Sequence, residues 1–296
     1  MNRLRMIGLA MAATFCAAQA DAEELTGTLK KVRETGTITI GYRDSSIPFS
    51  YLDDNQKPIG FAIDICRRIV DAVKQELKLD KLAVEFNPVT SSTRIPLLSN
   101  GTVDLECGST TNNAERRKTH AFSPTMFVTG TKLMVRRGSG ILNFRELNGK
   151  TVVLTRGTVH ETAIPRLASR QKLDIKFVFG ADHDESFRML AAGKADAFAN
   201  DDVQLYGMLA ETRASSDFRV VGDFLTYADY ALMLRKDDPE FSEVVDNAFR
   251  RLSGSREIVA IYDRWFRKPL PSGVQLNLPM SPHLEELFAV QGLPSD

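Results

Sequence analysis

The sequence predicts an α/β protein of two lobes, each a mostly parallel sheet flanked by helices, with the chain crossing twice between them. Three observations predict it. Apolar β-rich runs first alternate with helical periodicity in a β-α-β-α-β-α order, which calls for a parallel sheet. A second alternating series starts at Thr151. The two series also share an echo. Leu98-Ser-Asn-Gly101-Thr-Val-Asp104 and Leu190-Ala-Ala-Gly193-Lys-Ala-Asp196 carry the same helix-end, glycine, strand pattern at the same step. The chain leaves lobe one near Thr129 and returns near Tyr227. Lobe one is therefore 21–129 plus 228–296, lobe two is 130–227, and the double crossing is a hinge.

The elements follow in order. A short helix leads from Leu25 to Arg33, and Thr37 to Tyr42 is a strand. Residues 45–58 read as loop because Pro48, Asp53, Asp54, Asn55 and Pro58 break any periodicity. Phe61 to Leu77 is an amphipathic helix with Phe61, Ile65, Ile69 and Val73 on one face. A strand at 82–86, a short helix at 95–98, a strand at 102–105 and a helix from Ala114 complete the first series. Met126 to Arg136 is one long strand. Lobe two then gives strands at 151–155, 175–179, 195–199 and 218–221, with helices at 159–170, 185–192 and 202–211. A strand over 230–235, helices at 241–252 and 256–266, and a short helix near 283–290 in a Pro-rich tail finish the chain.

Residues 1–20 are set apart as a signal peptide. Arg3 and Arg5 form a basic start, Ile7 to Ala18 is apolar, and Ala18-Gln19-Ala20 is a cleavage site. The apolar run is too short to span a bilayer, and Phe15 before Cys16 is too bulky for a lipid-anchor signal. About 275 residues remain, enough for two lobes, with a net charge of −2. That balance, without a basic block, argues against nucleic acid. Two cysteines, Cys66 and Cys107, stay in the exported chain. A disulfide between them and a buried free thiol on the apolar face of the 61–77 helix are both open readings. The histidines lack metal-ligand spacing, so neither a metal nor a cofactor is expected.

The stretch Glu106 to Arg116 carries the first chemistry. A strand runs out into Gly108 and a cluster of hydroxyls. Asn112 with Glu115 then makes a capping-box pattern, with Arg116 one turn into the expected helix. Free N–H groups, hydroxyls and a guanidinium together suit a carboxylate. The other strand ends add to it. Lobe one offers Arg43, Ser91, Arg94, Ser109, Thr111 and Arg116. Lobe two offers Thr155, Thr158, at a second capping box with Glu161, together with His183 and Asp201. Asp202 is expected to cap the next helix. Three arginines opposite one acid suit a small ligand with two carboxylates and one ammonium.

The stretches Gly41 to Ser50, Thr90 to Leu98, Glu106 to Arg116, Asp182 to Arg188, Asn200-Asp201-Asp202 and Leu234 to Pro239 make the chain resemble type II periplasmic solute-binding proteins of polar amino acid ABC importers. Among these it is most similar to the glutamate/aspartate-binding proteins. The resemblance implies the two-lobed type II fold, a periplasmic location, a monomer, and delivery of glutamate or aspartate to transmembrane permease subunits. It implies that Arg116, Ser109 and Thr111 hold the α-carboxylate and that Asp201 takes the ammonium. Arg43, Arg94 and Ser91, with His183 nearby, would hold the side-chain carboxylate, and the corner at Thr155 and Thr158 would be the lobe-two contact. Val159 and His160 depart from the hydroxyl residues expected after Thr158. Leu232 stands where some members carry cysteine, so any disulfide must use Cys66. An alternative on the same fold is an exported cyclohexadienyl or arogenate dehydratase, which would need Asp201 or His183 as a general acid.

Overall fold

Residues 24–293 are described by the structure, a computed structural model. The signal peptide expected at 1–20 lies outside them. Two five-stranded paths organise the chain. In the first, Ala83–Pro88, Thr37–Tyr42, Leu105–Cys107, Met233–Arg235 and His120–Phe122 lie side by side. In the second the order is Lys176–Gly180, Thr151–Thr155, Ala197–Asp201, Phe127–Arg136 and Phe218–Val221. Both begin with three parallel strands and continue with antiparallel ones. The echo thus falls at equivalent places. Asp104 and Asp196 each enter the third parallel strand, and each carboxylate accepts an N–H of the first strand, from Thr39 at 2.9 Å and from Thr151 at 2.8 Å.

Phe127–Arg136 is the crossing segment. Its first half pairs with Tyr227–Tyr230, and its second half joins the lobe-two sheet. A Cβ at Gly130 would sit 2.7 Å from the Thr226 carbonyl, so glycine is what allows the crossing strands to meet. Behind them an aromatic cluster forms. Phe127 lies 5.0 Å from Phe49 and 4.9 Å from Phe266 between ring centroids. The return strand expected over 230–235 is two strands, because the crossing consumes Tyr227–Tyr230 and the lobe-one sheet takes Met233–Arg235.

The helix Phe61–Glu76 buries the predicted face, including Ile65, Ile69 and Val73. Cys66 on that face is joined to Cys107 on the third strand, with the Cα atoms 6.3 Å apart, so the disulfide reading is the one realised. Two expectations need correction. The loop at 45–58 contains a small three-stranded sheet of Ser45–Ser46, Ser50–Leu52 and Pro58–Ile59. The strand expected over 102–105 is Leu105–Cys107, because the Val103 N–H is held by the Leu97 carbonyl and pairing starts only at Ile40 with Leu105. No helix among the described residues is long and apolar enough to cross a membrane.

Candidate functional site

The C-terminal ends of the parallel strands in both lobes open onto one cleft, where ligands of open α/β sheets bind. Eight of the ten predicted residues line a single cavity there: Arg43, Ser91, Arg94, Ser109 and Thr111 from lobe one, and Thr158, His183 and Asp201 from lobe two. Its empty space, open solvent at the mouth included, totals about 230 Å³. The other two stand directly behind this surface. Arg116 donates to the Thr111 carbonyl at 2.9 Å and to Gly157 O at 3.3 Å. Thr155 Oγ1 lies 3.0 Å from His183 Nδ1.

Lobe one presents cations. Arg43 follows the strand Thr37–Tyr42 and is 1% exposed, yet neither Nη1 nor Nη2 has a partner. Burial, and then the neighbouring Arg94, push its guanidinium down to about 10. Arg94 opens the short helix Arg94–Ser99 and donates from Nη1 to Thr110 Oγ1 at 2.6 Å. Its Nε is buried without a partner, as is Ser91 Oγ. Burial and Arg94 push Arg116 down to about 9. Cations held so reluctantly are stabilised by a bound anion, because a buried unpaired charge is costly.

Lobe two presents acceptors. Asp201, 2% exposed, ends the strand Ala197–Asp201. Its Oδ1 accepts from His160 Nε2 at 3.1 Å, and its Oδ2 accepts from the Tyr230 hydroxyl. Burial pushes this carboxyl up, but His160, Tyr230 and Thr131 outweigh burial and hold it below its usual range. His183 Nδ1 also lies 3.4 Å from Asn200 Nδ2. Burial and the Arg43 charge drive His183 well below the ordinary imidazole value, so the ring is neutral.

The lobes touch through backbone. Gly157 has φ +71°, and a Cβ there would fall 2.6 Å from the Ser91 carbonyl. The Gly157 carbonyl accepts from both Arg94, at 3.5 Å, and Arg116. Gln204 Nε2 spans the cleft to Ser109 Oγ at 3.1 Å and Tyr230 Oη at 2.8 Å.

Residues 38–268 match the family model of bacterial extracellular solute-binding proteins, family 3. The chain belongs to this family. It is 46% identical to the L-glutamate/L-aspartate-binding protein of Pseudomonas aeruginosa over 286 residues, 96% of this chain and 95% of that one. It is 40% identical to the glutamate/aspartate import solute-binding protein of Escherichia coli K12 over 284 residues, 96% of this chain and 94% of that one. Among solved structures, an ancestral arginine-binding protein bound to glutamine superposes with a TM-score of 0.70 at 26% identity, covering 78% of this chain and 98% of that one. The full-length relatives of this solute-binding protein are binding proteins rather than enzymes. The groups agree with that. A dehydratase needs a general acid in the cleft, whereas Asp201 is held ionised and His183 neutral.

Three local expectations are corrected. No full helix starts at Asn112. Thr111 bridges to Tyr230 and the Asn112 N–H is taken by the Asp229 carbonyl, so the chain stays extended and only a short 3₁₀ turn, Arg116–Lys118, follows. Thr158 does not cap the next helix: its hydroxyl donates to the Thr155 carbonyl, Glu161 accepts from Gly157 N, and the helix His160–Arg170 starts after Val159. Asp202 is the first helical residue rather than the cap, because the strand runs into the helix with Asp201 at the junction.

His160, Asn200 and Gln204 also line the cavity and were not predicted as site residues. Gln204 had a readable signal, since it follows Asp201 by three residues on a helix start and shares its face. His160 stood in plain view as a departure from the family pattern, but its pairing with Asp201 joins residues 41 apart.

Proposed function

We propose that this protein is a periplasmic receptor that captures glutamate or aspartate in the interlobe cleft and hands it to the permease subunits of an ABC importer, acting as a monomer. The observation that carries the reading is the meeting of three largely buried guanidiniums, Arg43 with both terminal nitrogens unpartnered, with one buried carboxylate across the cleft. A ligand with two carboxylates and one ammonium pairs each of these charges. The relatives of 46% and 40% identity support the same ligand class. Arg116, Ser109 and Thr111 take the α-carboxylate, and Asp201 takes the ammonium on the lone pairs that His160 and Tyr230 leave free. Arg43, Arg94 and Ser91, with His183, take the side-chain carboxylate. Thr155 and Thr158 shape the lobe-two corner.

Closure is a rotation about the crossing strands Phe127–Arg136 and Tyr227–Tyr230, with lobe one as 21–129 plus 228–296 and lobe two as 130–227. Hinge closure around a ligand is the general behaviour of periplasmic binding proteins. A ligand drives it only through contacts that differ between open and closed states, which the two-lobe charge pattern supplies.

Calorimetry with glutamate, aspartate, glutamine and asparagine tests the reading. The acidic pair binds more tightly, because an amide leaves a buried guanidinium short of its partner. Glutamine binding as tightly as glutamate would refute it. Arg116→Ala removes binding of every amino acid, whereas Arg94→Ala hurts acidic ligands most.

A further inference from the structure

We infer that Glu106, which does not line the cleft, is the internal counter-ion of the site: it sets the site's charge at +1 and so matches it to a ligand of net charge −1. The inference rests on the acidic-ligand reading above and deepens it.

Glu106 sits in the middle of the strand Leu105–Cys107 and is 0% exposed. Successive strand side chains alternate faces. Cys107 turns toward the helix Phe61–Glu76, to which it is bonded, so Glu106 turns to the opposite face. There its Oε2 accepts from Thr110 Oγ1 at 2.6 Å, and Thr110 Oγ1 in turn accepts from Arg94 Nη1 at 2.6 Å. A hydroxyl has one proton, so the direction is fixed: Arg94 donates to Thr110, which donates to Glu106. The other oxygen, Oε1, has no partner. It lies where a side chain at residue 108 would be, since a Cβ on Gly108 would be 2.3 Å from Oε1 and 2.9 Å from Arg43 Cγ. Glycine at 108 therefore leaves the carboxylate room beside the Arg43 stem.

Glu106 is the acid that opposes the cost of burial at all three guanidiniums, Arg43, Arg94 and Arg116. Counting the arginines and their acids, three guanidiniums face the two carboxylates Glu106 and Asp201, leaving one positive charge. A glutamate zwitterion cancels it; glutamine leaves it standing. The count needs Glu106, since without it the empty site carries +2.

The test is calorimetric titration of wild type, Glu106→Gln and Glu106→Asp with glutamate and with glutamine. Gln keeps an acceptor for Thr110 and removes the charge, which strengthens the hold on an anion and leaves a neutral ligand indifferent. The expected result is a glutamate-over-glutamine affinity ratio raised about tenfold in Glu106→Gln. Glu106→Asp, whose carboxylate is drawn back by one methylene, gives a smaller rise in the same direction. A purely structural role would lower Tm and weaken both ligands alike, leaving the ratio within about twofold of wild type; that result, or a fall in the ratio, overturns the inference. Should Glu106→Gln not fold, an unchanged ratio in Glu106→Asp overturns it equally. Failure of the acidic-ligand reading shows up separately, as a wild type that does not distinguish the two ligands.

Discussion

Asp104 and Asp196 stand at the same step of the two lobes and make the same bonds to the first strand, but their surroundings differ. Asp104 is fully buried and also receives Lys31 Nζ at 2.6 Å and Arg235 Nη2 at 3.2 Å. Asp196 is exposed, and its bond to Thr151 N is its side-chain contact among the described residues. Lobe one also carries the disulfide and the guanidiniums; lobe two carries Asp201 and a corner of bare backbone at Gly157. One local pattern thus builds both sheets. What is fastened to it gives lobe one the disulfide and the cations and lobe two the opposing acid.

The comparison can be broken or sharpened by experiment. Replacing Cys66 and Cys107 with serine removes a link closing a separation of 41 residues, worth about 4 kcal/mol by chain-entropy reasoning. Urea unfolding should show that loss. Asp201→Asn, which removes the carboxylate that lines the cavity among the described residues, should weaken glutamate by about 3 kcal/mol, over a hundredfold, in calorimetry. Asp104→Asn should cost about 2–3 kcal/mol of stability, because Arg235 and Lys31 lose their acid. Asp196→Asn should cost under about 1 kcal/mol; equal losses would erase the contrast between the lobes. Gly157→Ala places a methyl against the Ser91 backbone at a φ of +71° and should weaken the ligand by about tenfold, while the left-handed backbone costs the empty protein about 1 kcal/mol of stability.

The last effect is one of pH. His183 is buried with its pKa depressed, so the unfolded chain binds a proton that the folded chain refuses. Stability of the empty protein should therefore fall as pH drops below about 6.5, by at most about 1.4 kcal/mol per pH unit. The slope should flatten in His183→Asn when followed by thermal melts at pH 5–7.

Much of the site was legible because strand ends are legible. A polar residue where an apolar β run ends, as at Arg43 or Asp201, sits at the C-terminal edge of the parallel strands, where ligands of open α/β sheets bind. The misread starts at Asn112 and Thr158 share one cause. A capping box is a local pattern, and both segments meet non-local partners: Tyr230 holds Thr111, and the Thr155 carbonyl takes the Thr158 hydroxyl. Those partners satisfy the same groups that a helix start would have used.

The sequence by itself determined the two α/β series, the apolar helix faces, the hydroxyl and arginine residues at strand ends and the family resemblance. These depend on periodicity and on residue type, both of which are local. The tertiary structure alone decided that Cys66 reaches Cys107, that His160 and Tyr230 hold Asp201, that Gln204 bridges the cleft and that Glu106 lies behind the arginines. Each of these joins groups on different strands or lobes. Their distances and burial exist only once the sheets are stacked and the lobes have closed, because desolvation, unlike periodicity, belongs to the packed chain.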